Sequence, residues 1–281
     1  MTNQLNIEQQ LTSAAALLAV YDTARLDAEV LLAHVLGKSR TYLFAWADKA
    51  ISSAEALNYA QLINRRLAGE PVAYILGWQE FWSLALKVTP ATLIPRPETE
   101  QLVDAVLARF DNSTITVWDA GTGTGAIALA LASERADWQI YASDYSAEAL
   151  AVAAQNIAHH QLQVQLCRAD WLSAVADQTL DLLVSNPPYI PPQDEHLAAL
   201  RYEPISALAA ADEGLADIKK LIVEAKRVLK PLAFIYIEHG YDQGDIVPEL
   251  LMQQGFSQAH CIKDYAGQPR FTVAQWLGNA A

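Results

Sequence analysis

The sequence predicts a two-part α/β protein: a small helical bundle, then a mainly parallel sheet with helices on both faces. Three observations predict it. Residues 1 to about 75 are Ala- and Leu-rich and carry helix-capping signals. From about residue 114, apolar runs of strand length alternate with helical stretches, the order that gives a parallel sheet covered on both sides. The first of those runs passes straight into a glycine-rich loop, DAGTGTG (119–125), where a strand hands over to a helix.

In the first part, LNIEQQLTSAAALLAV (5–20) has neither Pro nor Gly and is expected to be helical. ARLDAEVLLAHVLGKS (24–39) is apolar on several sides and is expected to stop at Gly37. Ser52 and Glu55 have the spacing of a capping box, and the helix after them is expected to bury a stripe of Leu57, Ala60, Ile63 and Leu67 before ending ahead of Pro71. Residues 1–75 therefore read as a helical domain. Residues 76–97 read as a connector: a short hairpin around Phe81–Val88, then a segment that Pro90, Pro95 and Pro97 bar from regular helix. Residues 98–281 form the second domain, opened by a helix at Glu98–Glu100. Its strand candidates are 115–120, 139–144, 164–169, 180–185 and 233–239, separated by helical stretches such as 126–135 and 147–160. Two later strands, about 257–263 and 271–276, have no helix between them and are expected to pair antiparallel at the sheet edge.

Composition narrows the function. With 281 residues, 52% of them apolar and 18% charged, the chain is a folded globular protein. No apolar run reaches the roughly 18 residues of a membrane span, and MTNQLNIEQQ lacks the pattern of a signal peptide. A soluble, cytoplasmic protein is expected, with no membrane partner. The net charge of −13, from 19 basic and 32 acidic residues, argues against gripping long nucleic acid and suits a basic protein partner. Cys167 and Cys261 have no zinc-type spacing and read as free thiols. His159 and His160 are adjacent on a helix and do not face one way, so no metal is expected there.

The glycine loop points to a cofactor. Gly121, Gly123 and Gly125, with Thr122 and Thr124 between them, allow a tight turn and close approach of a ligand at the start of a helix. The second strand ends in Asp144, placed to accept hydrogen bonds from a ribose. The third ends near Asp170 and Trp171, which are placed to frame an adenine; Asp119 precedes the loop. GxGxG departs from the dinucleotide GxGxxG, and several carboxylates at one sheet edge suit a cationic cofactor better than one with two phosphates. S-adenosylmethionine, with a sulfonium and an ammonium, is favoured over NAD.

The fourth strand ends in SNPPYIPP (185–192). Proline has no N–H, so the Asn186 side-chain oxygen and the Pro187 carbonyl form a stiff pair of acceptors, followed by Pro188 and the flat ring of Tyr189. Two acceptors match a planar NH2 group. Methyl transfer to such a nitrogen needs it aimed at the methyl carbon, and its N–H groups held as positive charge develops. No histidine or lysine base is required, so His239 reads as structural. Arg96, between two prolines, reads equally as a substrate contact or as a surface arginine set by a rigid turn. Arg65, Arg66 and the cations between Lys219 and Lys230 read as solvated helix faces.

The loop and the NPPY motif, together with GEPVAYILGWQEFWSLALKVTPATLIPRPETE (69–100), RYEP (201–204) and KDYAGQPRFTV (263–273), resemble the HemK-type peptide chain release factor glutamine methyltransferases. The likeness extends over nearly the whole chain. It implies a Rossmann-like, seven-stranded sheet with a reversed last strand and an N-terminal domain that recognises substrate. It also implies N5-methylation of the glutamine in the Gly-Gly-Gln motif of bacterial release factors. Under that resemblance Gly121–Gly125, Asp144, Trp171 and Asn186 contact the cofactor, and Asn186, Pro187, Pro188 and Tyr189 hold the glutamine amide. A ribosomal-protein glutamine, an exocyclic amine of adenine or guanine, and a non-catalytic cofactor-binding module are the competing readings.

Overall fold

The computed structural model describes residues 5–111 and 113–278. The chain divides into two compact units, one ending at Gly77 and one beginning at Trp78. Among the described residues, no helix is long and apolar enough to cross a membrane.

The first unit is all helical: α1 (Ile7–Leu17), α2 (Ala24–Leu36), α3 (Arg40–Ala45), α4 (Ser53–Leu67) and α5 (Val72–Leu76). Asn6 and Gln9 close a capping box on α1, and Ser52 and Glu55 close the expected one on α4. Gly37 ends α2 in the left-handed conformation. Ile7, Leu11, Leu18, Leu31, Leu32 and Leu43 fill the core. The stripe expected on α4 is not the buried one. Leu57, Ala60 and Leu67 are exposed, and α4 faces inward through Tyr59 and Ile63. The buried hydroxyl of Tyr59 donates to the Ala28 carbonyl at 3.0 Å, so an amphipathic ring makes the central contact that aliphatic spacing assigned elsewhere. Arg66 also departs from expectation: it is only 14% exposed, pairs with Asp27 at 2.7 Å and lies over the Tyr21 ring. Arg65 does stay on the rim, paired with Glu70.

The second unit opens with a hairpin, β1 (Trp78–Phe81) and β2 (Leu84–Lys87). A single 3-10 turn at Pro97–Thr99 leads into α6 (Glu100–Arg109). Then come β3 (Thr116–Ala120), α7 (Ala126–Glu134), β4 (Gln139–Asp144), α8 (Ala147–His160), β5 (Gln165–Arg168) and β6 (Leu180–Ser185). The chain closes with α9 (Ala216–Val228), β7 (Leu229–Glu238), α10 (Ile246–Gln253), β8 (Ser257–Lys263) and β9 (Pro269–Gln275). The seven strands lie in the order β5-β4-β3-β6-β7-β9-β8. All neighbours are parallel except β9, which runs antiparallel to both β7 and β8.

Strand periodicity divides the core. Val117, Leu182, Val184 and Tyr236 face α6 and α7, whereas Trp118, Leu183, Ile235 and Ile237 face α9 and α10. Apolar side chains on both faces are why these strands read as continuous hydrophobic runs. Because β4 and β6 flank β3 on opposite sides, the ends of all three open at one edge, the place where sheets of this kind take ligands.

The hairpin is tied to that edge by one buried side chain on α8. Asn156 accepts from the Lys87 N–H at 2.7 Å and donates to the carbonyls of Lys87 at 3.1 Å and Thr124 at 2.9 Å. Asn156→Ala strands those three backbone groups and is expected to lower stability by about 2–4 kcal/mol, read as a shift of the urea midpoint.

Candidate active site

A cavity of about 510 Å³ lies in the second unit, over the carboxyl ends of β3, β4 and β6. Gly121 carries the chain out of β3 at φ +75°, and a Cβ there would lie 3.1 Å from the Trp171 ring. Only glycine lets the loop pass that wall. Gly123, at φ +56°, has nothing within 4 Å of its missing Cβ, so the backbone is open to the cavity there. Its N–H donates to Asp144 Oδ2 at 2.9 Å, while Asp144 Oδ1 accepts from the Ser146 N–H at 2.9 Å. Burial raises the Asp144 carboxyl above the ordinary aspartate range, against the pull of those N–H groups.

Asp119 lies deeper, 1% exposed. Its Oδ2 accepts from the Thr122 hydroxyl at 2.6 Å, and its Oδ1 has no protein partner. Desolvation pushes its pKa up to about 7. A buried acceptor without a donor, on the wall of a cavity that also holds Asp144, suits a ligand carrying positive charge. The open backbone at Gly123 and the flat Trp171 wall suit an extended ligand with an aromatic end. The residues present therefore fit S-adenosylmethionine.

Asn186, at the end of β6, lines the same cavity. Its Nδ2 donates to Thr99 Oγ1 at 3.3 Å, and the Thr99 hydroxyl donates to Glu238 Oε2 at 2.7 Å. Burial raises Glu238 to about 7, opposed by the Thr99 hydrogen bond and by the Arg270 charge. The turn after Asn186 is anchored through its backbone: the N–H groups of Tyr189 and Ile190 donate to the Leu208 carbonyl at 3.2 and 2.9 Å, and Gln243 Nε2 donates to the Tyr189 carbonyl at 3.2 Å. Across the cavity, Glu203 of the RYEP segment accepts from the Ile94 N–H at 3.0 Å and from Arg96 Nη2 at 2.6 Å. Arg96 thus has a structural partner and still lines the cavity.

Of the residues singled out in the sequence, Gly121, Thr122, Gly123, Thr124, Asp144, Asp170, Trp171, Asn186, Pro188 and Arg96 line one cavity. Three do not reach its wall. Gly125 packs against Leu129 and Ala153. Pro187 is buried, and the Tyr189 ring packs on the apolar face that meets α9. Asp170 holds Lys220 at 2.7 Å at the cavity rim. His239 has the structural role expected: its Nδ1 lies 2.9 Å from the Gly240 carbonyl and its Nε2 2.9 Å from the Thr272 hydroxyl, and burial lowers its pKa and keeps it neutral. A carbonyl only accepts, so the proton sits on Nδ1 and Thr272 donates to Nε2. The sequence reading missed Thr99 and Glu238, which back Asn186, and Asp217, a cavity carboxyl raised by burial. Thr99 sits inside the ETE helix start, and nothing local ties it to a residue 87 positions away.

Comparisons with known proteins bear on the fold and the family. The family model for the PrmC N-terminal domain matches residues 9–77, and that for the Methyltransferase small domain matches 99–230. A release factor glutamine methyltransferase of Shewanella oneidensis is 45% identical over 99% of this chain and 99% of its own. The chain belongs to the release factor glutamine methyltransferase family. A second member, from Pseudomonas aeruginosa, is 48% identical over 90% of this chain and 93% of its own. The crystal structure of a methyltransferase from Pyrococcus furiosus shares the fold, with a TM-score of 0.54 and 19% identity over 78% of this chain and 99% of that one. The seven-stranded sheet with its reversed β9 is the methyltransferase architecture that the family resemblance implied.

Asp119 gives a pH test of the site. Its carboxyl holds a proton more tightly in the folded chain than in the unfolded one, so folding takes up a proton between its ordinary value of 3.8 and about 7. Its contribution to stability is therefore lost as pH rises through that window. Asp119→Asn is expected to match wild type in thermal unfolding near pH 4 and to exceed it by up to about 4 kcal/mol near pH 8, while weakening cofactor affinity at least about tenfold. Thermal scans across that range and calorimetric titration with cofactor check both parts.

Proposed function

We propose that this chain methylates the side-chain nitrogen N5 of the glutamine in the Gly-Gly-Gln motif of bacterial peptide chain release factors in the cytoplasm, using S-adenosylmethionine. The observation that carries the reading is the position of Asn186 on the wall of the cavity built by the glycine loop, Asp144 and Trp171. An acceptor for a planar amide stands beside a site suited to a cationic cofactor. The family membership supplies the glutamine and the release factor.

When bound, S-adenosylmethionine supplies a methyl group on a positively charged sulfur, already activated for displacement. Gly121–Thr124 and Asp144 would hold the cofactor's polar atoms, Asp119 would face its positive charge, and Asp170 and Trp171 would bind its adenine. The Asn186 side-chain oxygen accepts from an N–H of the substrate amide, orienting the nitrogen and stabilising that N–H as it becomes more acidic. The Pro187 carbonyl, expected as the second acceptor, belongs to a residue that does not line the cavity. Neutral His239 stays in its own hydrogen bonds, so no general base is drawn from it. The excess of 32 acidic over 19 basic residues favours a protein substrate over nucleic acid.

The test is transfer of labelled methyl to purified release factor. Label is expected on the release factor and absent when the motif glutamine is changed to alanine; label confined to ribosomal protein or nucleic acid overturns the assignment. Asn186→Ala is expected to lower kcat by roughly 100- to 1,000-fold with cofactor Kd within about threefold of wild type, since its oxygen acts on developing charge.

A further inference from the structure

A side-chain amide can face the cavity with either end. Its oxygen accepts, its NH2 donates, and the two ends have nearly the same shape. An Asn186 flipped to point its NH2 inward would set donors against the donors of a substrate amide. The site therefore needs something that fixes which end faces in.

Three groups behind Asn186 do this by elimination. Glu238 ends β7 at 1% exposure, and Thr99 is 4% exposed. An ionised carboxylate accepts only, so with Glu238 in that form, which prevails above about pH 7, the 2.7 Å contact between Glu238 Oε2 and Thr99 Oγ1 commits the threonine proton to Glu238. Thr99 Oγ1 then has only lone pairs left for Asn186, 3.3 Å away. The end of the carboxamide turned to Thr99 must be the NH2. Because the amide is planar, Oδ1 is turned the other way, on a residue that lines the cavity. Arg270, on β9 beside β7, supplies positive charge near Glu238, with its guanidinium fixed by Asp264 at 2.9 Å. That charge favours the acceptor-only form on which the ordering depends.

We propose that Thr99 and Glu238 are positioning residues that form a hydrogen-bond relay and lock the Asn186 carboxamide with its oxygen toward the substrate nitrogen. This rests on the reading of the cavity as a site of methyl transfer to an amide. Thr99 also lines the cavity, but in this role it acts through Asn186.

Three variants separate the relay from mere packing. Thr99→Val keeps the shape and removes the hydroxyl. Thr99→Ser keeps the hydroxyl and removes the methyl. Glu238→Gln keeps the shape but can donate to Thr99, which lets the relay run in either sense. Thr99→Val and Glu238→Gln are expected to lower kcat for release-factor methylation roughly 10- to 100-fold with cofactor Kd within about threefold, and Thr99→Ser to stay within about threefold of wild type. A serine variant as slow as the valine variant, or cofactor affinity falling in step with kcat, overturns the relay. A wild-type protein that leaves release factor unlabelled overturns the substrate assignment instead. In that event the relay is read directly from the side-chain amide signals of Asn186 in proton–nitrogen NMR. Thr99→Val is expected to move them to the positions of a free carboxamide and Thr99→Ser to leave them in place; signals unmoved by Thr99→Val overturn the relay.

Discussion

The site depends on the placement of β3 between β4 and β6. From that one reversal of strand order, the glycine loop, Asp144 and Asn186 come from separate stretches of chain to a single edge. None of them could be brought there by local structure. The strands place them because apolar side chains on both faces leave one way to bury the sheet, with α6 and α7 on one side and α9 and α10 on the other.

That edge carries an electrostatic cost that the fold tolerates for its chemistry. Asp119 and Glu238 are buried carboxyls pushed to about 7, and one Asp119 oxygen has no protein partner. A structure selected for stability alone would place apolar or amide groups there. The two carboxyls differ in what surrounds them. Glu238 has the Thr99 hydroxyl and the nearby Arg270 charge, and serves the protein's own geometry. Asp119 accepts from the Thr122 hydroxyl through one oxygen, has no side-chain partner at the other, and lines the cavity.

Much of this was legible in the sequence. The strands appeared because a sheet buried on both faces writes itself as apolar runs, and Gly121 and Asp144 appeared because they sit at strand ends, where position along the chain implies position in space. The capping box at Ser52 and Glu55 appeared because its chemistry is local. What escaped was long-range or amphipathic. Thr99 meets Asn186 across 87 residues, and Arg96 meets Glu203 across 107. On α4 an apolar count favoured Leu57 and Leu67, whereas Tyr59 spends a polar hydroxyl on a buried carbonyl and fills the core. Arg66 looked like a solvated cation until Asp27 and the Tyr21 ring accounted for its charge and its face. The Tyr189 ring, read from the motif as a face against the substrate amide, packs on the apolar face that meets α9, with Arg270, Glu238 and Arg96 near its hydroxyl.

The reversed position of β9 bears on how the molecule is made. This strand follows both β7 and β8 along the chain, yet it lies between them in the sheet. Until it slots in, β7 has no neighbour on that side, and Glu238 lacks both its cover and the Arg270 charge. The surroundings of Glu238 are therefore completed only when β9 pairs with β7, a contact between segments far from the glycine loop in sequence. Such long-range closure is a slow step in folding.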